Sequence, residues 1–149
     1  MNVIESKWKE RKARVEQGIF FATDEFIALR GAPGRGYSVA PRASIASLLH
    51  SQPDSWCVLG DPTAGEVRHG DFSVFGGGTS WEAEGFIAVE QRSQLLWLFH
   101  LAESEEFVHL STDGISIVAR SGGYPDSFEW HIPISAPEAL TVSRFSGLE

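Results

Sequence analysis

Between residues 56 and 145 the chain is a succession of short apolar or alternating runs, each closed by turn-forming residues. No other feature constrains the fold as strongly. The runs cover 56–59, 65–68, 72–75, 86–91, 94–101, 107–110, 115–120, 128–134 and 140–145. The separators are Asp61-Pro62, Gly76-Gly77-Gly78, Arg92-Ser93, Asp113-Gly114, Ser121-Gly122-Gly123 and Tyr124-Pro125-Asp126, all rich in residues that supply turn geometry. Asp113-Gly114 between two β-rich runs is the strongest hairpin signal. Phe128, Trp130, Ile132 and Ile134 alternate with Glu129, His131, Pro133 and Ser135, which makes one buried and one wet face. Pro133 has no N–H to give a ladder, so the end of that strand lies at a sheet edge. Residues 95–99 are apolar on both faces, the pattern of a central strand covered on both sides. Short connections make antiparallel pairing the default.

The first third reads differently. Ile4, Trp8, Val15 and Ile19 fall on one helical stripe, and Glu5–Lys9 and Glu10–Arg14 are favourable i,i+4 pairs. These residues predict a helix over 1–17, stopped at Gly18. Arg11 and Lys12 interrupt its stripe, so the helix is expected to pack lightly at an edge. Two short strands over 19–22 and 25–30 follow, with Asp24 in the turn, then a Gly/Pro loop over 31–36 and a second helix over 41–50. The fold class expected is α+β and β-rich. A large antiparallel meander, strongly twisted or partly closed, carries two helices from the N-terminal third. The chain reads as one domain over 1–149, with 56–145 as its β-rich body.

Composition narrows the function. With 149 residues and 42 % apolar content, one domain is able to bury a core without disulfides or metal. The single cysteine, Cys57, excludes an internal disulfide and points to a reducing cytoplasm. The longest apolar run, 95–99, is far too short for a membrane span, and the charged stretch 1–14 has no apolar leader region. The formal charge of −8 is unevenly spread. Residues 1–50 hold eight basic and five acidic residues, whereas residues 51–149 hold four basic and fifteen acidic ones. Such a balance disfavours a nucleic-acid binder and provides an acidic half able to attract a basic partner.

Motifs for catalysis are missing. Gly31–Gly36 lacks both the dinucleotide pattern and the Gly-Lys-Ser/Thr of a phosphate loop, and Gly76-Gly77-Gly78 is followed by Glu82 and Glu84, which repel phosphate. The histidines His50, His69, His100, His109 and His131 have no zinc spacing, and Cys57 sits in an apolar run as an inert core thiol. No nucleophile elbow is present. The residues therefore predict no cofactor, no metal site and no enzyme.

What remains is a binding surface. Trp81 and Tyr124 lie in glycine-rich connections beside acids, the composition of an interface anchor flanked by charge. The candidate partner-binding residues are Trp81, Glu82 and Glu84 on one connection, Glu103, Glu105 and Glu106 on another, and Asp113, Tyr124 and Asp126 on later turns. The stretches 80–86 (Ser-Trp-Glu-Ala-Glu-Gly-Phe) and 102–107 (Ala-Glu-Ser-Glu-Glu-Phe), in a small acidic Trp-rich chain, resemble the immunity proteins of bacterial contact-dependent inhibition and related toxin systems. The resemblance is one of overall character and transfers no family residue to a position here. It implies a cytoplasmic protein that binds and blocks a cognate toxin, often a nuclease with a basic cleft, rather than nucleic acid or membrane. Two other classes compete: an acidic secretion chaperone, and a small hydrolase or ligand-binding barrel using His100, His109 or His131.

Overall fold

The computed structural model describes residues 2–122 and 127–145, apart from the side chain of Glu103. The chain opens with helix α1 (Val3–Lys9) and strands β1 (Lys12–Arg14), β2 (Gly18–Phe21), β3 (Glu25–Ala32) and β4 (Gly36–Val39). Strand β5 (Ala43–Ser44) and helix α2 (Ala46–Ser51) lead into β6 (Trp56–Val58), β7 (Gly65–His69), β8 (Phe72–Gly78) and β9 (Glu84–Gln91). There follow β10 (Gln94–Glu105), β11 (Phe107–Thr112), β12 (Ser116–Ser121) and β13 (Ser127–Pro133), then a 3-10 turn at Pro137–Ala139 and β14 (Thr141–Phe145).

The strands form an antiparallel, β-rich α+β fold. A large sheet runs β4-β3-β2-β10-β9-β8-β7 with β5 added beside β3, and a second sheet runs β11-β12-β13-β14. Strands β1 and β6 make a separate ladder. The large sheet stays open, because its end strands β4 and β7 do not pair with each other among the described residues.

Strand β10 is central, as its apolar run requires. It pairs with β2 on one side and β9 on the other. Trp97, Phe99 and Leu101 face the second sheet and meet Phe107, Leu110, Ile117, Trp130 and Ile132 in one core. Leu95 and Leu98 point the opposite way, into a core with Ile4, Phe20, Ile45 and Phe86 beneath the helices. Trp130 sits at the centre of the first core, in edge-on contact with Phe99 and Phe107. The indole of Trp97 donates to the Ile134 carbonyl at 2.9 Å, which gives a buried N–H its partner. Pro133 pairs with Ser116 only, and β14 joins β13 no further than His131, so the proline does stand where the ladder opens.

Four expectations are corrected. The first helix ends at Lys9 instead of running to residue 17. Arg11 follows it at a left-handed φ of 58°, and Lys12–Arg14 turns into a strand paired with Trp56–Val58. The i,i+4 charge pairs that favoured a longer helix are worth only about 0.2–0.5 kcal/mol each. Fully burying Ala13 and the Arg14 stem in the β1–β6 ladder outweighs them. The short helix is also better anchored than its broken stripe implies. Ile4 is 2 % exposed, the Asp24 carboxylate accepts from the N–H groups of Val3 and Ile4 at 3.0 and 2.9 Å, and Glu5 accepts from the Leu95 N–H at 3.0 Å.

The second helix starts at Ala46, since Ala43–Ser44 pairs with β3 ahead of it. Finally, Gly76, Gly77 and Gly78 are no separator: they continue β8 in register with Ile87, Phe86 and Gly85. The reason is close approach. A Cβ on Gly76 would stand 2.8 Å from Leu110 Cδ1, and one on Gly78 would stand 2.7 Å from Glu106 Cβ. The bare backbone lets β11 and its lead-in lie directly against the large sheet.

Candidate functional site

The acidic connections meet at one end of the large sheet. Strand β8 runs towards this end, β9 leaves it and β10 returns to it. The β8–β9 connection is pinned by Thr79. Its N–H donates to the Glu84 carbonyl at 2.9 Å, its carbonyl accepts from Ala83 at 3.1 Å, and its hydroxyl accepts from the Glu84 N–H at 3.1 Å. The Ser80 N–H is tied to the Val58 carbonyl at 2.9 Å. On this fixed connection Trp81 projects outward and is 91 % exposed.

Strand β10 contributes the other wall through a bulge. Leu101 pairs with Gly85, yet the next pair is Glu105 with Glu84, so 102–104 have no counterparts on β9. Bulges of this kind redirect side chains at sheet rims. Here the result is a recess of about 250 Å3 lined by Glu82, Glu84, Ala102, Ser104 and Glu105. Ser104 Oγ donates to the Glu105 carbonyl at 2.9 Å. Glu106 lies beside the recess, its Cβ against Gly78 and its carboxylate accepting from the Thr63 hydroxyl at 3.2 Å.

Behind the recess is a buried polar cluster. His100 is fully buried. Its Nδ1 lies 3.2 Å from the Glu16 carbonyl, and its Nε2 lies 3.3 Å from Glu84 Oε1, a close contact that is not aligned as a hydrogen bond. Arg14 grips Glu16 with two nitrogens at 2.7 and 2.8 Å. Cys57 is half-buried, with Sγ 3.8 Å from the Arg14 carbonyl. Burial, reinforced by the negative field of Glu84 and Glu16, pushes its thiol up to about 11. A thiol so held is a poor nucleophile at neutral pH, although Cys57 is half-buried and not the core residue that its apolar run predicts.

The expected surface is thus partly assembled. Glu82, Glu84 and Glu105 line one recess, with Trp81 on the same connection as Glu82 and with Glu106 following Glu105, its carboxylate turned onto Thr63. Glu103 lies on β10 with its side chain outside the described set, and Tyr124 and Asp126 lie outside the described residues. Asp113 lies apart from these residues. It sits at the far end of β11, beside the His69 turn. Its Oδ1 accepts from the N–H groups of Ser116 and Ile115, both at 2.8 Å. These bonds hold its carboxyl below the usual range; the residue closes a hairpin and does not share the acidic end.

The histidines do not converge. His100 faces the helix side of the large sheet, whereas His131 is on the outer face of the second sheet, across the main core. There His131 Nε2 contacts Glu129 at 2.9 Å, and the Arg120 guanidinium, then His131, hold the Glu129 carboxyl below its ordinary range. His109 is exposed on β11. Among the described residues no three His, Cys, Asp or Glu side chains are grouped to hold a metal ion, and no helix is long and apolar enough to cross a membrane.

Sequence reasoning missed the β10 bulge and the contacts of His100, since neither leaves a local pattern. The acids themselves were visible. Compared with protein-family models, with curated proteins and with solved structures, the chain matches none.

Proposed function

We propose that this protein acts by binding, as an immunity-type inhibitor that docks its acidic end onto the basic cleft of a cognate protein toxin, a nuclease being the best fit. The observation that carries this reading is Trp81, 91 % exposed on a pinned connection beside the carboxylates of Glu82, Glu84 and Glu105. A large indole kept in water gains nothing for the fold, whereas an aromatic anchor bordered by charge is what interfaces concentrate. A nuclease cleft must attract phosphate and is therefore basic. Clustered carboxylates complement it, speed encounter and keep nucleic acid out. Such a role places the protein in the cytoplasm, where the toxin acts.

The test is co-expression with the product of the adjacent gene, scored by growth, followed by binding kinetics at graded salt. Association is expected to slow as salt rises, because steering is screened over about 8 Å at physiological ionic strength. Reversing the two exposed acids, Glu82→Lys with Glu105→Lys, is expected to lower the on-rate, and Trp81→Ala to raise the off-rate. Absence of protection, or binding indifferent to salt and to both changes, sinks the reading.

A further inference from the structure

We propose that a separate cleft on the helix-bearing face binds a small amphipathic carboxylate, an apolar tail carrying one anionic head. The cleft, about 500 Å3, opens between the end of α1 and the segment following β6, over strands β8 and β9. That volume is typical of small-ligand sites. Leu59 and Phe86 are buried in its floor, while Phe75 and Trp8 remain half-buried and face the opening. The Trp8 ring is set by its indole N–H, which donates to Glu90 at 2.8 Å, and lies 5.5 Å from Phe75 at 59°. The apolar wall is therefore preorganised and does not have to be assembled by a ligand.

The rim carries both signs, Lys9 and Arg11 against Glu66 and Glu90, and their partners differ. Glu66 is paired with the Arg68 guanidinium, whereas Glu90 keeps its charge and is turned onto the Trp8 indole N–H. Lys9 has no partner among the described residues. Among the same residues Arg11 has only Asp61, a fully exposed carboxylate 3.5 Å away, and exposed pairs of that kind contribute little. Two cations with spare donors thus border an apolar cleft in a chain whose overall charge is −8. At φ 58° Arg11 occupies the left-handed position that ends α1, where glycine fits without strain, and its side chain lines the rim.

Octanoate is the probe, with 1-octanol as its neutral counterpart, both titrated calorimetrically into the full chain. Octanoate is expected to bind about tenfold more tightly, the margin of a single charge-assisted hydrogen bond. The double variant Lys9→Met, Arg11→Gly should lose that preference while melting no lower than the native protein, since glycine suits the backbone at position 11. No binding of octanoate, equal binding of the two compounds, or a preference that survives the double variant overturns the proposal. None of these outcomes touches the acidic end, which lies on other residues.

Discussion

Glu84 and Glu105 face each other as a register pair across β9 and β10, two like charges at the rim of one recess. Directly opposed like charges destabilise a ladder by roughly 0.2–1 kcal/mol. Glu105→Gln is accordingly expected to stabilise the protein by that amount in urea unfolding, and to weaken association with a basic partner. A variant that stabilises without any effect on binding would mark the pair as a solubility feature.

Trp81→Ala is expected to leave stability within about 0.5 kcal/mol of the native value, as exposed substitutions do. Chemical denaturation checks this, and a larger loss would mean that the indole supports the connection from outside.

Asp24→Ala should cost about 1 kcal/mol, the usual worth of a helix cap, because the carboxylate receives both Val3 and Ile4 from twenty residues away. The melting temperature reports it. Removal of the first sixteen residues is a harsher change than deleting one short helix. It also takes away β1 and the fully buried Arg14, so loss of cooperative unfolding is expected.

Cys57 titrates higher when folded, with its thiol pushed up to about 11 by burial and by Glu84. A raised folded value means that the unfolded chain gives up its proton first as pH climbs. The stabilisation is complete below the ordinary thiol range and is lost as pH rises through about 11. Stability measured from neutral to strongly alkaline pH should fall, and Cys57→Ala should flatten that fall. At pH 7 a disulfide reagent should label the native thiol far more slowly than the unfolded one.

Asp113 gives the opposite dependence. Its carboxyl is held low by the Ser116 and Ile115 N–H groups, so its contribution is present above the ordinary carboxylate range and is lost as pH falls through the lowered value. Asp113→Ala should lower the melting temperature at neutral pH and leave partner binding intact.

Much of the fold was legible because its signals are local. Period-two runs and turn residues marked nearly every strand of the β-rich body, Asp113-Gly114 marked its hairpin, and residues 95–99 announced a strand covered on both faces. Side-chain alternation and backbone turn preference are properties of neighbouring residues, so they are written in sequence order. The acids of the candidate surface were visible for the same reason. Tertiary structure alone decided that Lys12–Arg14 pairs with Trp56–Val58 instead of extending a helix, that three glycines continue a strand, and that residues 102–104 bulge to gather Glu82, Glu84 and Glu105 while Asp113 goes to the other end. Each of those outcomes depends on contacts between residues distant in the chain, whose packing outweighs local preferences of a few tenths of a kcal/mol. A pattern read along the chain has no access to that sum; it exists only once the sheets are stacked.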